Sequence, residues 1–424
     1  MKHLFLYAAV FTALAIPCRP AHAQIDRRTL KPAMESINLY LSQKAAVNQT
    51  VDIDTFFITK RSIKVHLNGA ISDYPLRDSD LRFMENVLRS TLPARCSGLE
   101  IEFLYKGKPV DRLVSGYYSG QKPGKYTNNS TPWIEKTSRP VNITEGLDGR
   151  NIALWSSHGY YYSHDAGRWE WQRAPFFTTV EDMLTHSYIT GFLAPMLENA
   201  GANVLIPRER DSQKVELIVD NGSPFYTERN NSGNPHYDWK DSSEPGFGEK
   251  SSSFLTDGNP FITGSARISA SDSKSIQTAS YLPFFPATGD YAVYVSYQSL
   301  PESTSAAYTV RHSGGEDIFE VNQSIGGGTW VYLGTFRFTE GECGQGVIVR
   351  SAQKNKTGVI TTDAVRFGGG MGNIVRGHET SGYPRYAEAA RYWLQWSGYP
   401  EEVYSPNDGA NDYKDDYMSR GEWV

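Results

Sequence analysis

A chain of 424 residues is long enough for two or three domains, each with its own core. Its formal net charge of -5 and isoelectric point near 6.0 leave no electrostatic footprint for nucleic acid or an anionic membrane. The abundance of aromatic side chains, 26 Tyr, 19 Phe and 9 Trp beside 38 Gly, favours β-rich modules and surfaces that face sugars.

The first residues, MKHLFLYAAVFTALAIPCRPAHAQ, combine a short basic start, an apolar stretch from Leu4 to Ile16 and a small-residue end at Ala21-His22-Ala23. This pattern predicts a signal peptide over residues 1–23 and an exported protein, periplasmic or extracellular. The apolar run is too short to span a bilayer, and no later run is long enough, so no transmembrane segment is expected after signal cleavage. Cys18 follows Ala-Ile-Pro, where a lipoprotein signal wants a small residue. Cys96 and Cys343 remain, in different expected domains. That rules out a disulfide framework or a cysteine metal site, and two buried free thiols are expected.

From residue 24 to about 112 the signals are mixed. RSIKVHL alternates Ile63, Val65 and Leu67 on one face, and LEIEFLY alternates again. Between them DSDLRFMENVLRSTL sets Leu81, Met84, Leu88 and Leu92 at helical spacing behind an Asp/Ser start. A small α+β module, a spacer or docking domain without chemistry, is expected there. Residues 113–146, rich in Gly, Ser, Thr, Asn and Pro, are expected to form a linker.

Residues 147–213 change character. NIALWSS predicts a buried strand. Residues 180–200 carry Met183, Leu184, Tyr188, Phe192, Leu193 and Leu197 as a broad apolar helix face that Gly201 stops, and NVLIP predicts the next strand. Strand, helix and strand of these lengths form a parallel βαβ unit, which puts the loop after the first strand at the functional edge of the sheet. From residue 214 to 369 short alternating strands separated by Gly, Asp, Asn and Ser predict an antiparallel β-sandwich. In YAVYVSY one face holds Tyr291, Val293, Val295 and Tyr297, and the other Ala292, Tyr294 and Ser296. Helices resume over residues 370–424, in YPRYAEAARYWLQWSG and NDYKDDYMSRGEWV. The expected architecture is therefore multidomain, α/β plus all-β. It has a βαβ sheet domain, an antiparallel β-sandwich inserted after its second strand, and a small N-terminal α+β module.

The chemistry concentrates at Ser156-Ser157-His158-Gly159. A hydrolytic zinc site takes three protein ligands, commonly His and Glu, and leaves one position open. His158, delivered by a strand to its C-terminal end, is placed for that, although a His beside Gly is more often a turn residue. Glu181 opens the following helix, where capping alone explains a carboxylate, yet that helix start lies beside the strand end. Glu170, His164, Asp182 and His186 compete as donors, and spacing does not separate them. A nucleophilic serine is not expected, because WSSHGY lacks the Gly-x-Ser-x-Gly elbow.

SSHG, then Glu181, then FLAPMLENAGANVLIPRERD resembles the first half of the zinc-dependent N-acetylmuramoyl-L-alanine amidases of the amidase-3 type. Ala200-Gly201, Val204, Arg208 and Asp211 stand at that family's positions. The resemblance implies that His158 and Glu181 are ligands of Zn2+ and that the substrate is peptidoglycan or a related wall polymer. It also implies a second ligand His and a catalytic Glu downstream of the Asp-rich helix at residues 411–424. His378 is a poor substitute for either, so the chain is expected to be the front part of a longer protein, with no catalytic group assigned. The segment 214–369 resembles the golvesin C-terminal domain, also found in proteins labelled xanthan lyases and considered carbohydrate-binding-like. That resemblance implies a polysaccharide partner met by rings such as Trp239, Trp330 or Tyr332, though aromatic residues of a sandwich are more often core. Two other functions stay open: a glycan-binding protein without catalysis, and a polysaccharide lyase of the xanthan type using His158, Tyr160 to Tyr162 or His164.

Overall fold

The computed structural model describes residues 27–45, 47, 49–114, 132–141, 146–248, 258–352 and 357–424. The expected signal peptide, including Cys18, lies outside these residues, as does most of the expected linker. The chain forms two units that divide near residue 127.

The first unit contains α1 (Arg27–Ser42), β1 (Ile53–Ile58), β2 (Ser62–Leu67), α2 (Asp78–Thr91), β3 (Glu100–Tyr105) and β4 (Lys108–Pro109). Its sheet runs β1-β2-β3-β4, and β2 pairs in parallel with β3. A parallel pair needs a crossover, which α2 supplies. Ile63, Val65 and Leu67 alternate inward and meet Met84 and Leu88 of α2 together with Leu30 and Ile37 of α1. The carboxylate of Asp80, in the first turn of α2, accepts the backbone N–H of Arg77 at 2.9 Å and the hydroxyl of Tyr40 at 2.7 Å. It thereby satisfies a helix-end donor and ties the two helices together.

The second unit begins with β5 (Ile134–Lys136), β6 (Asn151–Ala153), β7 (Tyr160–Ser163) and β8 (Arg168–Trp171). Next come α3 (Glu181–Tyr188), a π-helical turn over Ile189–Leu193, α4 (Ala194–Asn199) and β9 (Asn203–Leu205). The strands of the sandwich are β10 (Glu216–Asp220), β11 (Tyr226–Asn230), β12 (Lys240–Gly246), β13 (Gly264–Ser271), β14 (Gln277–Tyr281), β15 (Gly289–Val295), β16 (Ser305–His312), β17 (Gly315–Asn322), β18 (Val331–Phe338), β19 (Gly346–Ser351), β20 (Gly358–Thr362) and β21 (Ala364–Gly368). Helices α5 (Ala390–Trp396), α6 (Glu401–Tyr404) and α7 (Asp412–Trp423) follow. The molecule is mostly β, with several sheets and a few helices.

Two sheets, β10-β21-β15-β18 and β11-β14-β19-β16-β17-β5, enclose the main core, and β12-β13-β20 forms a third. All of their strand pairs are antiparallel. The two faces read in β15 separate as expected. Tyr291, Val293 and Val295 enter the sandwich core, whereas Ala292 and Tyr294 enter a second core with Trp393 and Trp396 of α5 and Trp169 of β8. Both faces are apolar because the helices after the sandwich and the β7–β8 hairpin cover its outer side.

Several expectations need correction. Residues 134–136, expected as linker, form edge strand β5 on β17. Trp133 anchors it, packing on the sandwich core and donating its indole N–H to Tyr297 Oη at 2.8 Å. The buried strand expected at 151–157 is only three residues long, with Ile152 half-buried between two exposed neighbours. It does pair in parallel with β9, Ile152 opposite Val204. The helix expected over 180–200 is interrupted by the π-helical turn, and much of its apolar face is in the open: Leu184, Tyr188, Phe192 and Leu193 are exposed, whereas Met183 is half-buried and Leu197 packs against Ala194 and Val204. Its end follows the expected chemistry. Gly201 has φ +104°, and the N–H groups of Gly201 and Ala202 bond back to the carbonyls of Glu198 and Leu197, a Schellman closure. Of the two thiols expected to be buried, Cys96 is and Cys343 is exposed.

Candidate functional site

The loop from β6 to β7 carries His158, and one backbone turn and two sets of contacts fix it. Ser157 takes a left-handed backbone, φ +42°. Gly159 donates its N–H to Gln172 Oε1 at 2.8 Å, and a Cβ there would lie 2.6 Å from the backbone N of Ala389, so a side chain does not fit. Arg208, just after β9, is buried and bonds the carbonyls of Ser156, His158 and Tyr386 and the hydroxyl of Ser156. The Arg-Glu-Arg-Asp run thus divides its work. Arg208 positions the histidine loop, while Asp211 accepts the N–H of Ala292 at 2.7 Å and fastens the α/β segment to β15.

The His158 side chain is 19% exposed, and its Nδ1 lies 4.0 Å from Glu181 Oε1 at the start of α3. That Nδ1 is buried and has no hydrogen-bond partner. Burial, together with the nearby guanidinium groups of Arg173 and Arg420, lowers its pKa, against weaker upward pulls from Glu181 and Asp416. The ring is therefore held neutral, the form that ligates metal. An unpartnered imidazole nitrogen facing an exposed carboxylate fits two ligands of a zinc ion. Among the described residues, no third His, Cys, Asp or Glu completes a metal-binding group.

The competing donors have other partners. His164 Nε2 lies 3.1 Å from Asp412, and Glu170 accepts from Tyr161 Oη at 3.1 Å. His186 is buried, 3.0 Å from Ser156 Oγ, and desolvation pushes its pKa down to about 3. Asp182 is also buried. It accepts the Arg173 N–H at 3.3 Å, and desolvation raises its pKa to about 6. His378 sits exposed in a tight turn with φ +77°.

Beside His158 is a cavity of about 320 Å³ lined also by Gln172, Arg173, Tyr413, Tyr417 and Arg420. Sequence reasoning did not single out these five residues. Tyr413, Tyr417 and Arg420 recur at i, i+4 and i+7 on α7, the one signal that could have placed them on a common face. Behind the cavity Asp416 accepts from Gln172 Nε2 at 3.0 Å, pairs with Arg420 and accepts the Arg391 N–H. Asp412 accepts from Tyr392 Oη at 2.6 Å and Arg376 Nε at 3.0 Å. The acidic run of α7 is thus a buried framework that aims the outer side chains.

The three rings considered for sugar contact lie elsewhere. Trp239 is in the sandwich core, with its indole N–H on the carbonyl of Thr278. Trp330 is packed among Phe247, Phe261 and Trp396. Tyr332 is half-buried, and the Arg210 guanidinium covers its ring at 3.8 Å. The sandwich does carry an open polar groove of about 400 Å³ at Tyr226, Glu228, Asp241 and Arg267.

Residues 256–369 match the Golvesin C-terminal domain family, a range that runs through β13 to β21 of the sandwich. The chain is 30% identical over 95 residues to xanthan lyase of Bacillus sp. (strain GL1), covering 22% of this chain and 10% of that protein. Among solved structures, Paenibacillus xanthan lyase aligns with a TM-score of 0.28 and 24% identity, over 37% of this chain and 13% of that one. The K1 cleaved adhesin domain of Lys-gingipain from Porphyromonas gingivalis aligns with a TM-score of 0.23 and 16% identity, over 36% of this chain and 97% of that one. The chain thus spans about a tenth of the length of the curated relative it matches, and its similarity to the Golvesin C-terminal domain falls within the β-sandwich.

Proposed function

We propose that this protein is an exported, glycan-directed zinc hydrolase of the N-acetylmuramoyl-L-alanine amidase type, acting on peptidoglycan or a related wall polymer. In this reading the sandwich serves as its carbohydrate-binding module. The observation that carries the catalytic part is the buried, unpartnered Nδ1 of His158, 4.0 Å from the carboxylate of Glu181. These two residues would hold Zn2+, which when bound supplies a Lewis acid for the scissile amide carbonyl and lowers the pKa of water. Arg208 fixes the backbone on both sides of His158 and so holds the ring direction. Burial, helped by the cations of Arg173 and Arg420, lowers the pKa of the His158 ring, while Glu181, 58% exposed, has room to meet it.

Zinc affinity measured by competition with a chromophoric chelator tests this. With two of the site's ligands the wild-type chain holds one zinc weakly, and His158→Ala weakens it further by more than the roughly 10–100-fold typical of outer-shell changes. Equal zinc affinity in the two proteins sinks the reading.

A glycan-binding protein without catalysis is the second reading, favoured by the open groove at Tyr226 and Arg267. It predicts polysaccharide affinity that His158→Ala leaves unchanged. The lyase reading draws less support from the tyrosines. Tyr160 Oη is committed to the carbonyl of Trp169 and Tyr161 Oη to Glu170. Burial also raises both pKa values, away from a phenolate base.

A further inference from the structure

Resting on the reading that puts catalysis at His158, we infer that the cavity beside it recognises a carboxylate carried by the sugar or peptide of the substrate, with Arg173 and Arg420 as the anchors. Two guanidinium groups and the His158 ring line the cavity. Of the carboxylates beside it, Asp416 is shared among Arg420, Gln172 and the Arg391 N–H, and Glu181 is 58% exposed and lies against His158. Arg420 is 7% exposed, and its Nε is buried with no partner. Arg173 donates from Nη1 to Tyr413 Oη at 2.8 Å, and among the described residues no carboxylate pairs with its guanidinium. A buried guanidinium with an unfilled donor is costly in the free protein, and a carboxylate with two oxygens repays that cost with charge-assisted bonds.

The other walls suit a sugar bearing that charge. Tyr413 and Tyr417 lie 6.4 Å apart edge to face, and Tyr161 meets Tyr413 at 5.4 Å, so aromatic surface flanks the two cations. Rings of this kind take the apolar face of a pyranose while a guanidinium takes the acid. Both anchors stand beside the proposed reaction centre, so the acid they hold belongs to the sugar or peptide next to the bond that is cut.

The test uses the full chain after dialysis against EDTA, with calorimetric titration of four probes: an oligogalacturonate, its methyl ester, N-acetylmuramoyl-L-alanine and its methyl ester. At least one acid binds roughly 10–100-fold more tightly than its ester. Which acid does so tells a uronate from a peptide carboxylate. Arg173→Gln removes that preference, and Arg420→Lys, which keeps the charge beside Asp416, reduces it. Circular dichroism checks that both variants are folded. Acid and ester binding alike, no binding of either acid, or a preference untouched in folded Arg173→Gln overturns the inference. Zinc affinity on the same samples separates the two claims. Carboxylate preference without zinc removes only the metal, and zinc without preference removes only the anchors.

Discussion

The sandwich and the βαβ segment make opposite use of the same kind of residue. In the sandwich, strands of five to eight residues such as β14 and β16 put Tyr281, Tyr291, Phe285 and Phe338 in a continuous core, and Phe285 stacks on Phe338 at 4.1 Å. In the βαβ segment, three-residue strands back a core of Ala194, Ala202, Val204 and Ile206, while Tyr188, Phe192 and Met196 lie outside it. A parallel pair is normally covered on both faces. The contrast shows that apolar periodicity tells which side of a helix is apolar, whereas burial depends on what the rest of the fold places against it.

The contrast is broken most severely at the joint between the two regions. Arg366 of β21 and Glu209 after β9 are both fully buried, 2.7 Å apart, and the guanidinium also lies over the ring of Tyr294. Glu209→Gln leaves that cation buried without its main partner. It should cost about 3–5 kcal/mol in chemical denaturation, with the sandwich and helical signals lost together. Independent loss of the two signals would show that the regions are not coupled.

The second test concerns a charge within the sandwich. Asp363 is wholly buried, accepts the N–H of Phe247 and the hydroxyl of Ser296, and has its pKa raised by desolvation to about 7. Protons bind the folded state more tightly than the unfolded one. Its stability contribution is therefore full below the ordinary carboxyl pKa and is lost as pH rises through about 7. Between pH 5 and 8 the wild type should lose roughly 2.5 kcal/mol relative to Asp363→Asn, whose amide oxygen can accept the Phe247 N–H and whose NH2 can donate to Ser296 Oγ. Parallel melting curves for the two proteins across that range would contradict it.

Two smaller effects belong to the βαβ side. Gly201→Ala forces a side chain into the positive-φ position that closes α4 and should cost about 1 kcal/mol in thermal denaturation. Phe192→Ser removes an exposed ring and should change stability by less than about 0.5 kcal/mol. A loss of several kcal/mol would mean that this helix face is covered in solution.

The sandwich was legible because short β-rich runs recur between Gly, Asp, Asn and Ser turns, with period-2 alternation in strands such as β17 and β19, and in β15 even the two buried faces could be separated. The strand-helix order put Glu181 near His158, and the two lie 4.0 Å apart, but it did not separate Glu181 from Glu170, His164, Asp182 and His186; the resemblance made that choice. The β7–β8 hairpin was not legible, although YYYS and RWEW flank a turn that ends in Gly167, because its strands are four residues long and YYYS shows no apolar–polar alternation. β5 was missed for a different reason. Three residues carry no period, and their partner lies about 180 positions downstream. Arg173 and Arg420 were invisible for the same cause, since their roles arise from contacts that join β8, the β6–β7 loop and α7. Trp239 and Trp330 show the converse, since aromatic character alone did not tell core from surface.

The pairing of β5 with β17 also sets an order of events during synthesis. Thr137 contacts Ile318 across 181 positions, so at about 5–20 residues per second the N-terminal partner leaves the ribosome roughly 9–36 s before the strand that receives it. Through that interval Trp133 has no pocket, and the hydrogen-bonding edge of Ile134 to Lys136 is open to any other chain. The nascent protein therefore passes through a window in which a chaperone that holds it extended has a defined segment to protect.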